Sequence, residues 1–417
     1  MPKLTVIGPT TLEGKVRIGG SKNAALPILI ATILLDGIST IRNIPALSDV
    51  STTVRLLRSL GLRAEFSDSS VKVWCAKELR HVAPYELITK MRASFLVAGP
   101  ILARSGLAKV PYPGGCSIGS RPVDIHLKGF EAFGIDVRIE HGFVILKLKG
   151  KLKGAKYTLD FPSVGATENM LMMASLAEGT SVLENVAREP EIVDLADFLN
   201  SAGANVTGAG TDVITIKGVA RLSGVDYSII PDRIEAATFL AAGALTNGDV
   251  TLSCVNLEHI DGFIQVMIQA GANIEIIDDT TIRVLPNGRK YKAVNVKTEP
   301  YPGFPTDMQP LLMSFLALLE NKKSIIIENI FENRFMHVME LNRMGADIHI
   351  EGKKAIINGV SQLSSTSVQM MDLRGGAALL IAALAAEGET ELYNTEHVER
   401  GYDGIGEKLI SLGANIV

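Results

Sequence analysis

The sequence predicts an α/β fold written as a sixfold repeat, on three observations. Six times an amphipathic helical stretch runs into a glycine and on into a strand: LRSLG at Gly61, FEAFG at Gly134, FLNSAG at Gly203, IQAG at Gly271, LNRMG at Gly345 and LISLG at Gly413. Successive glycines stand 73, 69, 68, 74 and 68 residues apart, so a single unit recurs along the whole chain. Each unit also opens with a helix that is apolar almost all round and closes with strands of period-two alternation. Helices of that kind belong in an interior, and the strands with their short turns are expected to cover them.

The opening helices are NAALPILIATILL, MRASFLVAGPILA, ATENMLMMASLA, IEAATFLAAGAL, MQPLLMSFLALL and RGGAALLIAALAA. Gly37, Gly106, Gly179, Gly248 and Gly388 are expected to end five of them in the left-handed conformation, with Asn321 in the fifth unit. A β-type run follows each: STIRNI, AKVPYP, TSVLENV, DVTLSC, SIIIENI and ETELYN. The amphipathic helix comes next, then two alternating strands, as in ANVTGAGTDVITIKG. The sixth unit stops at Val417 before its closing strands, and LTVIGPTTLEGKVRIGG near the N-terminus reads like them. Residues 1–20 are therefore expected to complete the sixth unit. That gives one domain over 21–230 and a second over 231–417 plus 1–20, the alternative being an independent N-terminal hairpin.

Composition bounds the function. The 417 residues allow two cores, and 47% hydrophobic with only 5% aromatic residues makes those cores aliphatic. A net charge of -4 with no strongly basic half argues against a nucleic-acid partner. Three cysteines without a CxxC pair argue against a disulfide framework or a zinc cluster and suit a reducing compartment. The longest apolar run, Ala24 to Leu35, is shorter than the roughly 20 residues a membrane span needs. The expectation is a cytoplasmic protein without membrane, metal or cofactor, its oligomeric state left open.

Polar residues gather where the apolar helices start: Lys22 and Asn23, Arg92, Ser163 to Gly165, Asp232 and Arg233, Asp307, and Asp372 with Arg374. Helix N-termini present free N–H groups and the positive end of the dipole, so they favour anions. Two facing domains would aim these ends into one cleft. Asp232, Asp307 and Asp372 are equally readable as ordinary helix caps. Lys22, Arg92 and Arg374 are not, because a cation opposes the dipole, and an anionic ligand explains them better. A second polar set follows the β-runs: Cys116 to Asp124, Glu189, Glu191, Arg334 and Arg400. Arginine forks match phosphate and carboxylate, although Arg334 reads as well as a solvated loop charge. Cys75 and Cys254 read as small buried hydrophobes. Cys116 lies between Gly115 and Gly119 with Arg121 nearby, which makes it a candidate acid, base or nucleophile.

These residues bring a resemblance with them. In 20-GSKNAALPI-28, 91-MRASF-95, 113-PGGCSIGSRPVDIH-126, 163-SVGATEN-169, 187-AREPEIVD-194, 231-PDRIEA-236, 305-PTDMQ-309, 332-ENRFMHV-338 and 372-DLR-374 the chain resembles the UDP-N-acetylglucosamine enolpyruvyl transferases over essentially its whole length. The resemblance implies an inside-out α/β barrel of two pseudo-symmetric domains, each of three βαβαββ repeats. It also implies transfer of the enolpyruvyl group of phosphoenolpyruvate to the 3′-hydroxyl of UDP-N-acetylglucosamine, with small-molecule substrates and no cofactor. By the same resemblance Lys22, Arg121 and Arg400 hold phosphoenolpyruvate. Asn23, Arg92, Arg121, Pro122, Val123, Asp124, Ile125, Ser163, Val164, Gly165, Asp307 and Ile330 face the sugar nucleotide or its neighbours. Asp307 is the base near the 3′-hydroxyl, Cys116 the acid that protonates C3, and Asp372 and Arg374 support the site. Phe161 departs from the pattern, standing where other members have lysine, which touches the uridine contacts rather than the reaction. Two other readings are a 5-enolpyruvylshikimate-3-phosphate synthase and a non-catalytic sugar-nucleotide sensor. The Cys116 loop with SRPVD opposes the first. The presence of Cys116, Asp307 and the arginines opposes the second.

Overall fold

The computed structural model describes residues 2–76, 78–112 and 123–417, with the side chain of Arg92 left outside the description. The described chain falls into two compact α/β units, one of residues 2–19 with 231–417 and the other of 20–112 with 123–230.

In the 20–230 unit the apolar helices are α1 (Lys22–Ala31), α3 (Ala98–Ser105) and α5 (Val164–Ala174), and the amphipathic ones are α2 (Ser48–Ser59), α4 (Asp124–Ala132) and α6 (Pro190–Ser201). In the other unit the apolar helices are α7 (Arg233–Leu245), α9 (Gln309–Ala317) and α11 (Leu373–Ala385). The amphipathic ones there are α8 (Asp261–Gln269), α10 (His337–Arg343) and α12 (Ile405–Ser411). Every residue of α7 and α9 is buried, and α7, α9 and α11 pack on one another. Glycine lets the covering sheet approach α7 closely: a Cβ on Gly243 would meet Val284 Cγ1, in strand Thr281–Leu285, at 2.4 Å. Each unit has its own aliphatic core built around such helices.

All six amphipathic helices end the same way. Gly61, Gly134, Gly203, Gly271, Gly345 and Gly413 have positive φ. Around Gly61, Gly61 N donates to Arg58 O at 3.1 Å and Leu62 N to Leu57 O at 3.1 Å. The other five glycines repeat this pair of bonds, from Gly134 N to Glu131 O and Ile135 N to Phe130 O through Gly413 N to Ile410 O and Ala414 N to Leu409 O. This is the Schellman stop, whose left-handed residue glycine adopts without steric cost.

The expectation for the apolar helices needs correction. Only Gly106 caps its helix directly in the left-handed conformation. Gly37, Gly179 and Gly388 have positive φ but lie at the entry to the next strand. In the fourth repeat the left-handed residue is Asn247, with φ 52°, and not Gly248. Gly248 is required for space, since a Cβ there would lie 2.2 Å from Leu12 O.

Five of the repeats share one sheet plan, in which a short lead strand pairs parallel to the β-run and the β-run pairs antiparallel on its other side; in the second, Leu107–Pro111 has in place of a lead strand the single parallel bridge Val82–Lys109. In the third repeat Lys156–Thr158 leads Thr180–Glu184, followed in the sheet by Val213–Lys217 and Asn205–Thr207. The N-terminal residues divide between two repeats. Lys3–Gly8 pairs with Gly388–Tyr393 and with Asn415–Ile416 in the sixth. Glu13–Arg17 pairs parallel with Asp249–Ser253, so it leads the fourth repeat and corrects the assignment of all of residues 1–20 to the sixth. In the other unit Asp226–Ser228, at its C-terminal end, leads Ile38–Arg42 of the first repeat.

Cys75 and Cys254 are half-buried rather than fully buried. Cys254 holds φ 60° at the position where other repeats place Asn43, Asn185 and Asn394 in the same left-handed conformation. Among the described residues, no helix is long and apolar enough to cross a membrane.

Candidate active site

The helix starts resolve into caps and non-caps. Asp232 accepts from Ile234 N at 2.8 Å and Glu235 N at 3.0 Å, and Asp372 accepts from Arg374 N at 2.9 Å and Gly375 N at 3.0 Å. Ser163 caps α5 by accepting from Ala166 N, and Ser21 caps α1 by accepting from Ala24 N. Asp307 makes no such cap. Pro305 turns the chain into a short 3-10 segment, Thr306–Met308, before α9 begins, and the carboxylate is directed at side chains instead.

Those side chains are arginines. Arg334 Nη2 donates to Asp307 Oδ1 at 2.8 Å, and Arg374 Nε lies 3.5 Å from the same oxygen. Arg334 also donates to Thr306 O from Nε at 3.3 Å and Nη2 at 3.2 Å, and its Nη1 lies 3.7 Å from Asp372 Oδ1. Arg334 is only 2% exposed, which corrects the solvated-loop alternative: it is a buried charge held between two carboxylates. Asp307 keeps 30% of its side chain exposed, so this carboxylate is the one member of the group that reaches solvent.

Two residues that the sequence did not single out frame the group. Glu328, 2% exposed at the end of strand Lys323–Ile327, accepts through Oε1 from Thr298 Oγ1 at 2.9 Å, Ile330 N at 2.8 Å and Phe331 N at 3.2 Å. Its Oε2 accepts from Thr306 Oγ1 at 3.0 Å. One carboxylate thus fixes both the turn carrying Ile330 and the residue beside Asp307; the only sequence signal is a charge directly after four residues of a buried strand. His337 opens α10 buried beside Arg334 and Asp372. Burial pushes its imidazole down from 6.5 to about 4, helped by Arg334 and opposed by Asp372. Arg400 caps the Glu396–Glu399 turn and is half-buried.

In the 20–230 unit Lys22 is the first residue of α1 and 7% exposed. Its Nζ lies 3.4 Å from Asp49 Oδ2, so a carboxylate from α2 answers part of the charge that opposes the helix dipole. Asn23 beside it is half-buried. Arg92 begins a 3-10 helix, Arg92–Val97. Cys116, Arg121 and Pro122 lie outside the described residues. Val123 is buried, Asp124 starts α4 on its exposed side, and Ile125 O accepts from Tyr157 Oη at 2.8 Å. Val164 and Gly165 form the half-buried first turn of α5. His126 is tied in beneath them: Asn169 Oδ1 accepts from Gly99 N at 2.8 Å, which makes Nδ2 the donor to His126 Nδ1 at 3.2 Å and leaves the ring hydrogen on Nε2. Further along α5, burial with Glu191 and Glu189 nearby pushes the Glu168 carboxyl well above its ordinary range. Phe161 is 42% exposed.

The architecture and these groups define a class of protein. The enolpyruvyl transferase NikO from Streptomyces tendae superposes with a TM-score of 0.89 at 24% identity, covering 100% of this chain and 98% of that one. EPSP synthase from Acinetobacter baumannii superposes with 0.78 at 18% identity, covering 100% and 99%. The fold is that of these two transferases. The EPSP synthase family (3-phosphoshikimate 1-carboxyvinyltransferase) matches over residues 6–409, and the chain belongs to it. Within that family the chain is 50% identical over 420 residues to a UDP-N-acetylglucosamine 1-carboxyvinyltransferase of Geobacter metallireducens, covering 100% of this chain and 99% of the relative. It is also 50% identical over 419 residues, with the same coverage, to a UDP-N-acetylglucosamine 1-carboxyvinyltransferase 1 of Staphylococcus epidermidis.

Proposed function

We propose that this chain transfers the enolpyruvyl group of phosphoenolpyruvate to the 3′-hydroxyl of UDP-N-acetylglucosamine with release of phosphate, the first committed step of peptidoglycan synthesis. The observation that carries the reading is half-identity, end to end, with relatives named for that transfer. The geometry supports it: a half-buried carboxylate at a helix start is committed to two buried arginines instead of to its own helix.

The reaction divides into two steps. The 3′-hydroxyl oxygen bonds to C2 of phosphoenolpyruvate while Asp307 accepts the hydroxyl proton and the Cys116 thiol gives its proton to C3. Phosphate then leaves C2, a proton returns from C3 to the Cys116 thiolate, and the double bond re-forms. Lys22, Arg121, Arg374 and Arg400 hold the phosphate and carboxylate, charges that persist from substrate to leaving group. Asn23, Arg92, Pro122, Val123, Asp124, Ile125, Ser163, Val164, Gly165 and Ile330 contact the sugar nucleotide or its neighbours, and Asp372 supports the arginines. Supporting Asp372 in that role is its dual position, capping α11 and facing Arg334. The repeats are read as an inside-out α/β barrel in two pseudo-symmetric domains, 21–230 and 231–417 with 1–20.

The family description itself favours a second reading, transfer to shikimate 3-phosphate. The sequence 113–126, with its cysteine and SRPVD segment, speaks for the sugar nucleotide. Phosphate release from phosphoenolpyruvate tests the choice: it should require UDP-N-acetylglucosamine. Turnover with shikimate 3-phosphate and none with the sugar nucleotide would reverse the assignment.

A further inference from the structure

The fifth repeat departs from the others where its β-run ends. In the first, third, fourth and sixth repeats that end is Arg42, Glu184, Ser253 and Tyr393, none of them buried. The residue after each, Asn43, Asn185, Cys254 and Asn394, is left-handed. The corresponding pair in the fifth is Glu328 and Asn329, since Asn329 Nδ2 donates to Thr298 O as Asn43 and Asn185 donate to Ile229 O and Leu159 O. Glu328 is only 2% exposed, and Asn329 does not take the left-handed conformation. Instead the N–H groups of Ile330 and Phe331 turn back onto the Glu328 carboxylate. A repeat that abandons its own turn to bury a charge beside the site does so for a local reason.

The two carboxylate oxygens have separate partners. Oε1 accepts from Thr298 Oγ1, Ile330 N and Phe331 N, and Oε2 accepts from Thr306 Oγ1. The carboxylate is itself held in place. Thr298, 0% exposed, directs its only hydroxyl hydrogen to Oε1 and accepts from Asn329 N at 3.0 Å. Thr306 is gripped at both ends, its hydroxyl by Glu328 and its carbonyl by Arg334. The next residue is Asp307. That carboxylate is not anchored as a helix cap, so the bonds on Thr306 place its backbone.

We propose that Glu328 is a positioning residue with two separable effects: through Oε2 and Thr306 it sets Asp307 against the acceptor hydroxyl, and through Oε1 it shapes the Ile330–Phe331 turn that meets the sugar nucleotide. The proposal rests on the transfer reaction proposed above. Glu328 touches no substrate. One buried side chain fixes the base relative to the turn beside the acceptor, and a misplacement of about 1 Å at a base is costly to the rate.

The test uses the full chain and the variants Thr306→Val, Thr306→Ser, Glu328→Gln and Glu328→Ala. Thr306→Val removes the Oε2 bond alone. It should lower kcat about tenfold or more and leave KM for UDP-N-acetylglucosamine within about twofold. Thr306→Ser keeps the hydroxyl and should restore kcat. In Glu328→Gln the N–H groups of Ile330 and Phe331 admit only the amide oxygen, which turns the NH2 group toward Thr306 and reverses that bond. KM for the nucleotide should again hold, with a fall in kcat smaller than in Thr306→Val. Glu328→Ala withdraws both oxygens, and KM for the nucleotide should then rise about fivefold or more along with the fall in kcat. Equal losses in Thr306→Ser and Thr306→Val, a KM rise in Thr306→Val that matches its fall in kcat, or an unchanged KM in Glu328→Ala would overturn the proposal. A second readout needs neither turnover nor the alanine variant. The side-chain carboxyl 13C resonance of Asp307, assigned in aspartate-labelled protein by its absence in Asp307→Asn, should shift in Thr306→Val but not in Thr306→Ser. The amide resonances of Ile330 and Phe331 should stay in Thr306→Val and shift in Glu328→Gln, where a neutral acceptor replaces a charged one. An unmoved Asp307 resonance in Thr306→Val overturns the positioning role even if the protein proves inactive with these substrates, in which case the transfer reading fails separately.

Discussion

Acidification should destabilise the unit containing residues 231–417 through His337, and His337→Leu should abolish that effect. The imidazole is fully buried, and among the described residues neither ring nitrogen has a partner in good hydrogen-bond geometry, the backbone of Arg334 being a weak one. Its charged neighbours are Arg334, from the turn before α10, and Asp372, from the cap of α11. Burial dominates and lowers the group from 6.5 to about 4. The unfolded chain therefore takes up a proton below pH 6.5 that the folded chain refuses until about pH 4. Stability is full above that window, falls as pH drops through it, and levels off below it. Linkage puts the loss at about 2 kcal/mol at pH 5. For a unit of this size that corresponds to roughly 4–8 °C in Tm. Leucine has nearly the volume of histidine and no polar atoms to strand, so at pH 8 the variant should match the wild type or exceed it by about 1 kcal/mol. Thermal or urea unfolding of both proteins at pH 8 and pH 5 measures the difference, in which other titrating groups cancel. Stability–pH curves that run parallel for the two proteins would refute the reasoning.

Three further outcomes are expected. Cys254→Asn should raise stability by about 1 kcal/mol, read as a higher urea midpoint, because asparagine tolerates the left-handed conformation and gains a hydrogen bond. Asn43, Asn185 and Asn329 each donate to the residue after the lead strand, Ile229 O at 3.1 Å, Leu159 O at 2.7 Å and Thr298 O at 3.2 Å, and the corresponding acceptor for position 254 is Ile18 O. Asp307→Asn should lower kcat by more than about 10²-fold with circular dichroism unchanged, since the amide still accepts from Arg334 but cannot take the hydroxyl proton; a kcat near wild type would remove Asp307 as the base. An epoxide phosphonate that mimics phosphoenolpyruvate should alkylate Cys116 in preference to Cys75 and Cys254, and faster with UDP-N-acetylglucosamine present, as peptide mass mapping would show.

The parts of this structure that are local in sequence were legible there. The six Schellman glycines could be read because a left-handed stop demands glycine and leaves the same mark each time. Gly248 was misread because a glycine needed for close approach looks the same as one needed for positive φ. The split of residues 1–20 between two repeats was hidden for another reason. Lead strands of three to five residues carry no partner signal, and Asp249–Ser253, which Glu13–Arg17 joins, lies more than 230 residues away in sequence. At the site, position along the repeat found the charged helix starts but left Asp307 equivalent to the capping residues Asp232 and Asp372, and only the family resemblance set it apart as the base. That distinction depends on a 3-10 turn and on Arg334, 27 residues downstream. Glu328 was missed because its part in the site exists only through tertiary hydrogen bonds, from Thr298 30 residues and Thr306 22 residues upstream.

The central claim is the identity of the acceptor. Phosphoenolpyruvate carrying 13C in its three-carbon unit, incubated with the full chain and an equal mixture of UDP-N-acetylglucosamine and shikimate 3-phosphate, tests it directly. 13C is expected in a new ether at the 3′-oxygen of the sugar nucleotide, seen by NMR and as a mass increase of one enolpyruvyl group, with phosphate released in equal amount and the shikimate compound untouched. Label on shikimate 3-phosphate, or phosphate released without label on either acceptor, would contradict it.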